Sequence, residues 1–174
     1  MDDDSPNDVS LHIEFRCEDD SWQALPDVET LIGQALRLAW SADTGGAGDT
    51  GGARPAEVSV LLAGDTTLQA LNREWRGKDR PTNVLSFPGP DMPVPAEDGT
   101  LVCHLGDLAM SYQTLAREAD KEDKPLAHHL QHLAVHGMLH LQGHDHETEE
   151  EAEEMEALER TLLARLGIPD PYAA

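Results

Sequence analysis

His136-Gly-Met-Leu-His-Leu-Gln-Gly-His-Asp-His146 is the stretch from which the rest of the chain is best read. It closes a helix expected to run from Pro125 to about Gln142, because proline suits a first helical turn, where its missing N–H would be unpaired anyway. His136 and His140 then stand four apart on one helix face, about 5–6 Å from each other. Two imidazoles at that spacing can share one metal ion. His132 lies on the same face but is separated from His140 by about 12 Å along the axis at 1.5 Å per residue. Metal–nitrogen bonds of roughly 2.1 Å do not bridge that span, so His132 reads as packing or as support behind the ligands. If the helix continued, His146 would sit roughly 240° around from His140. Gly143 falls where a left-handed C-terminal residue ends a helix and folds the chain back, which returns His146 to the site as third ligand. His144 is the rival for that place.

Three protein ligands leave a position for water, as catalytic zinc sites do and structural ones usually do not. Zinc lowers the pKa of such a water to about 7, giving a nucleophile at neutral pH. Three imidazoles suit zinc best, one ion per chain, with nickel and copper as alternatives. The spacing H-x3-H-x2-G-x2-H is that of the metzincin proteases, whose general base is a Glu directly after the first histidine. Here Gly137 holds that position, and Met155, inside an acidic helix, makes no Met-turn. The pattern keeps the metal cage and lacks the peptidase's proton carrier.

Working outward, Val9, Leu11, Ile13 and Phe15 alternate with polar residues, the period of a half-buried strand. A helix is expected at 27–40, then a flexible Gly-rich loop at 41–55. Glu57–Ala63 reads as a strand, and Thr66-Thr-Leu-Gln69 as the capping box of a helix whose face carries Leu68, Leu71 and Trp75. Val84–Phe87 and Leu101–Leu108 read as strands around a Gly- and Pro-rich loop at 88–99, and 112–122 as a helix. Thr148-Glu-Glu-Glu151 caps a last helix that buries Met155, Leu158, Leu162 and Leu166 and stops at Gly167. Its run of glutamates is most simply a solvated face. The expected architecture is α/β (α+β): a single domain over 8–168, a small mixed sheet packed with about five helices. Residues 1–7 and 169–174 read as tails.

The 174 residues suffice for one buried core. No apolar run approaches the roughly 18 residues of a membrane span. The acidic Met1-Asp-Asp-Asp start does not resemble a secretory signal, so the cytoplasm is the expected address. Cys17 and Cys103 form no C-x-x-C pair and read as idle thiols. The net charge of −22 argues against general nucleic-acid affinity, yet four of the twelve Lys and Arg residues fall within Arg73–Arg80.

With that basic segment the sequence resembles a known family. His136–His146 matches the H-G-x-L-H-L-x-G-[YH]-D-H signature of the YbeY family of bacterial metal-dependent endoribonucleases. Leu71-Asn-Arg-Glu-Trp-Arg-Gly-Lys-Asp-Arg-Pro-Thr-Asn-Val-Leu-Ser-Phe-Pro88 is similar to its L-N-x-x-[YW]-R-x-K-D-x-P-T-[DN]-V-L-S-F-P segment, and Leu105-Gly-Asp-Leu108 to its L-G-D-[IL] strand. The likeness runs from about residue 56 to 146. It implies metal ligands at His136, His140 and His146, in accord with the geometry, and a functional arginine at Arg76. Arg73, Lys78 and Arg80 would then add substrate-binding charge, unless they are only solvated cations suited to a helix C-terminus. Asp107 reads equally as support behind the site or as a turn residue.

The resemblance implies cleavage of single-stranded RNA in 16S ribosomal RNA 3′-end maturation and 70S ribosome quality control, with ribosomal RNA and ribosomal proteins or ribosome-associated factors as partners. Two other readings stand beside it: a non-enzymatic ribosome-biogenesis factor stabilised by its metal, and a metalloprotease.

Overall fold

The computed structural model describes residues 11–47, 55–90 and 92–173. The expectations for 1–7, for Val9 and for the middle of the Gly-rich loop lie outside them.

β1 (Leu11–Cys17) leads through a 3-10 turn (Asp20–Ala24) to α1 (Val28–Ala47), β2 (Ala56–Ala63) and α2 (Asp65–Arg76). β3 (Val84–Pro88), the two-residue β4 (Val94–Pro95) and β5 (Leu101–Ser111) follow. Helices α3 (Tyr112–Lys121), α4 (Leu126–Leu141) and α5 (Glu149–Arg165) complete the chain. The sheet order is β1-β2-β5-β3, parallel across the first three strands, with β3 antiparallel on β5 and β4 on the start of β5. This is the expected single α+β domain, with a mixed sheet and five helices among the described residues.

The pleat sorts the strand residues onto two faces. Val58, Val60 and Leu62 of β2, with Leu108 and Met110 of β5, pack against Ile32 and Leu36 of α1 and Leu130, Ala134 and Met138 of α4. On the other face a smaller cluster joins Ala63, Leu85 and Ala109 to Leu68 of α2. α4 is buried almost all round, as a helix at the centre of a core must be. Its polar side chains therefore find partners: Gln131 donates to the Leu31 carbonyl, and His129 to Glu118.

Three local expectations are corrected. α1 does not stop at residue 40 but runs on to Ala47, into the stretch read as a loop, because Trp40 and Ala42 still pack on the core. α2 has no capping box at Thr66. Gly64 is its N-cap with no side-chain bond, and the Gln69 amide donates to Asp79 instead. The loop at 88–99 contains β4. Trp75, on the helix face that carries Leu71, is 64% exposed and edge-on to Phe87. The capping box at Thr148 is present, with Thr148 and Glu151 bonded reciprocally.

Candidate metal centre

α4 ends as the sequence requires. Gly143 has φ 101°, its N–H donates to the His140 carbonyl, and the His144 N–H donates to that of Leu139. This is the paired-bond C-terminus that a left-handed residue permits. The chain doubles back, and His146 arrives beside the helix it left. Its ring centroid lies 5.0 Å from that of His140 and 5.8 Å from that of His136. One ligand nitrogen from each of the three imidazoles lies within 4.8 Å of the others, a set that could hold a metal ion.

The chemistry of the donors fits a cation. His136 Nδ1 lies 2.8 Å from Glu159 Oε2, and His140 Nδ1 lies 3.0 Å from the His144 carbonyl. Both partners are acceptors, so each Nδ1 carries the hydrogen and donates it. A neutral ring with its hydrogen on Nδ1 leaves Nε2 bare, and the two Nε2 atoms face each other across 3.1 Å. Burial pushes the His140 pKa down, and His136 and His146 beside it push the same way, which favours its neutral form. Two lone pairs at that distance repel; a shared cation turns the repulsion into two bonds.

Behind the triad lies a network the sequence did not reveal. Glu159 of α5 is wholly buried. Besides the bond from His136, it accepts from His132 Nε2 at 2.9 Å and from the Tyr172 hydroxyl at 2.5 Å. Burial would raise its pKa, but the three donors outweigh that and hold it down at about 2. In the sequence Glu159 belongs to a glutamate run that reads as a solvated face. Its spacing from Met155, Leu162 and Leu163, all buried, was the available signal. Tyr172 had none, lying in a segment read as a tail. His132 is second to the ligands, as its spacing required.

The triad opens into a cleft of about 720 Å3, whose wall includes Arg76, Thr82, Ser86, His144, Asp145 and Glu147. Arg76, the last residue of α2, is exposed and makes no ion pair among the described residues. Arg73, Lys78 and Arg80 are also exposed but do not line this cleft; Arg73 is 3.8 Å from Asp79. Asp107 is neither support nor turn. It sits within β5, one residue from Leu108, which faces α4, and so turns to the opposite face of the sheet. There it lines a separate groove of about 990 Å3 that no histidine borders. No helix among the described residues is long and apolar enough to cross a membrane.

Known proteins share this chain's sequence over most of its length. A family model described as Endoribonuclease YbeY matches residues 17–167. A curated relative from Rhodopseudomonas palustris, named Endoribonuclease YbeY, is 56% identical over 156 residues, covering 90% of this chain and 78% of the relative. Relatives of the same name from Bradyrhizobium and Azorhizobium caulinodans are 51% and 50% identical, covering 88% and 94% of this chain and 88% and 97% of their own. A solution structure from Thermotoga maritima aligns with a TM-score of 0.47 at 22% identity, over 93% of this chain and 99% of that one.

Proposed function

The chain belongs to the YbeY family of endoribonucleases, and we propose that it is itself a metal-dependent endoribonuclease acting on single-stranded RNA. The observation that carries the reading is the convergence of His136, His140 and His146 in a cleft that Arg76 also lines. The cation we assign is one zinc ion per chain, which three imidazoles suit. When bound, it supplies Lewis acidity and makes water a nucleophile at neutral pH.

The protein's own groups do the rest. The Arg76 guanidinium pairs with phosphate oxygens and offsets the negative charge on them in the phosphorane-like transition state. Arg73, Lys78 and Arg80, around the same helix end, draw the RNA backbone toward the cleft. His144 or Asp145, on the cleft wall, takes up the proton.

From the family we further infer a role in the cytoplasm, in 16S ribosomal RNA 3′-end maturation and 70S ribosome quality control, with ribosomal proteins or ribosome-associated factors as partners. A net charge of −22 favours a second reading, a binding factor whose contacts are with protein more than RNA.

Incubation of the zinc-loaded protein with end-labelled single-stranded and duplex RNA tests the choice. Cleavage of the single strand alone, abolished by chelation and by His140→Ala, is the expected result. Stoichiometric zinc with no cleavage of either RNA would favour the binding factor.

A further inference from the structure

We propose that Glu159 is the positioning residue of the metal centre, holding His136 with its Nε2 toward the cation, and that Tyr172 holds Glu159 in turn. The proposal rests on the reading of His136, His140 and His146 as metal ligands.

The neighbouring acidic side chains of α5 lie at the surface or are half-buried, while Glu159 is fully enclosed. An ionised carboxylate is costly to enclose unless donors satisfy both oxygens. Here three do, from two parts of the chain. His136 on α4 donates to Oε2, while His132 on α4 and Tyr172 near the C-terminus donate to Oε1. An ionised carboxylate only accepts hydrogen bonds, so it fixes the hydrogen of His136 on Nδ1 and leaves Nε2 bare.

The three ligands are not supported alike. The His140 ring donates to the neutral His144 carbonyl, and His136 to a full negative charge. A carboxylate behind a ligating imidazole both fixes its orientation and raises its basicity, so His136 is the ligand whose bond this network strengthens.

Tyr172 explains why the C-terminal segment returns to this place. Its ring stands edge-on to His132 with centroids 5.6 Å apart, and the Arg160 guanidinium lies 5.5 Å from its centroid. The hydroxyl holds the carboxylate by the same Oε1 that His132 holds. Loss of that hydroxyl leaves Oε1 with His132 as its one remaining donor and does not empty the core, since Tyr172 is 38% exposed.

Three measurements on wild type, Glu159→Gln and Tyr172→Phe test the proposal: zinc affinity by chelator competition, the His136 tautomer by 15N NMR of the metal-free protein, and thermal unfolding. Glu159→Gln is expected to weaken zinc about 10–100-fold and to shift His136 toward its Nε2–H form, leaving His140 unchanged. Tyr172→Phe is expected to weaken zinc in the same direction by a smaller factor. A purely structural Glu159 would lower the melting temperature yet leave zinc affinity and the His136 tautomer as in wild type, which would overturn the proposal. If Glu159→Gln does not fold, Tyr172→Phe decides by the same two readouts. Wild-type protein that takes up no zinc would instead overturn the metal reading, while the His136 tautomer in the metal-free variants would still report on Glu159.

Discussion

Leu108 on β5 fills the space that a side chain at position 137 of α4 would need: a Cβ on Gly137 would stand 2.8 Å from Leu108 Cδ2. The Ser86 hydroxyl of β3 donates to the Gly137 carbonyl at 3.2 Å across the same contact. The glycine after His136 therefore lets α4 lie close against the sheet beside the cleft, where a side chain would have to displace Leu108. It also explains why the metzincin glutamate has no place here.

Two opposed terms set the effect of substituting Gly137. Alanine gains up to about 1 kcal/mol of helix propensity, but crowding a core residue that is fully buried costs about 1–3 kcal/mol. Gly137→Ala should be destabilised by no more than about 2 kcal/mol, and Gly137→Glu, which also inserts a charge, by clearly more. Denaturant unfolding measures both. Gly137→Glu as stable as wild type, or active on casein, would contradict this account of the position.

Arg76 should matter more than its basic neighbours. Removing one preorganised donor to a developing negative charge typically costs about 100–1000-fold in rate. Arg76→Ala should lose about that much RNA cleavage with zinc content and melting temperature unchanged, and Arg76→Lys should recover only part. Arg73→Ala and Lys78→Ala should instead weaken binding modestly and flatten its salt dependence. Equal rate losses at Arg73 and Arg76 would remove the distinction.

Part of the acid sensitivity should lie at the start of α2. Burial opposes ionisation of Asp65, but hydrogen bonds from Ser111 and Thr114 and the Arg117 guanidinium outweigh it and lower its pKa. A lowered folded pKa means the unfolded chain takes up the proton first. The contribution of Asp65 is thus complete above its ordinary value of 3.8, declines below it, and is gone once the pH has fallen through the folded value. Asp65→Asn should cost about 1–3 kcal/mol at pH 7, with the gap to wild type closing toward pH 3. A gap that stays constant across this range would show that the charge is not what stabilises.

What the sequence disclosed follows from local periodicity. Alternation marked β1, a β-rich run marked β2, the i, i+4 histidines marked the metal face of α4, and Gly143 marked the turn that brings His146 back. The misses came where distant contacts override local pattern. Thr66 and Gln69 fit a cap on paper, yet Gln69 is drawn to Asp79 and the helix starts at Asp65. Glu159 looks like its acidic neighbours until α5 is laid against α4. Tyr172 finds His132 only across 40 residues of chain. Asp107, taken with the motif around it, faces away from the site because a strand's side chains alternate.

The central claim is that His136, His140 and His146 hold one metal ion. Elemental analysis of untagged wild-type protein and of His136→Ala, His140→Ala and His146→Ala, each also assayed on single-stranded RNA, tests it most directly. The account predicts about one zinc per chain in wild type, lost together with RNA cleavage in all three variants. Zinc retained after removal of His146 would contradict it.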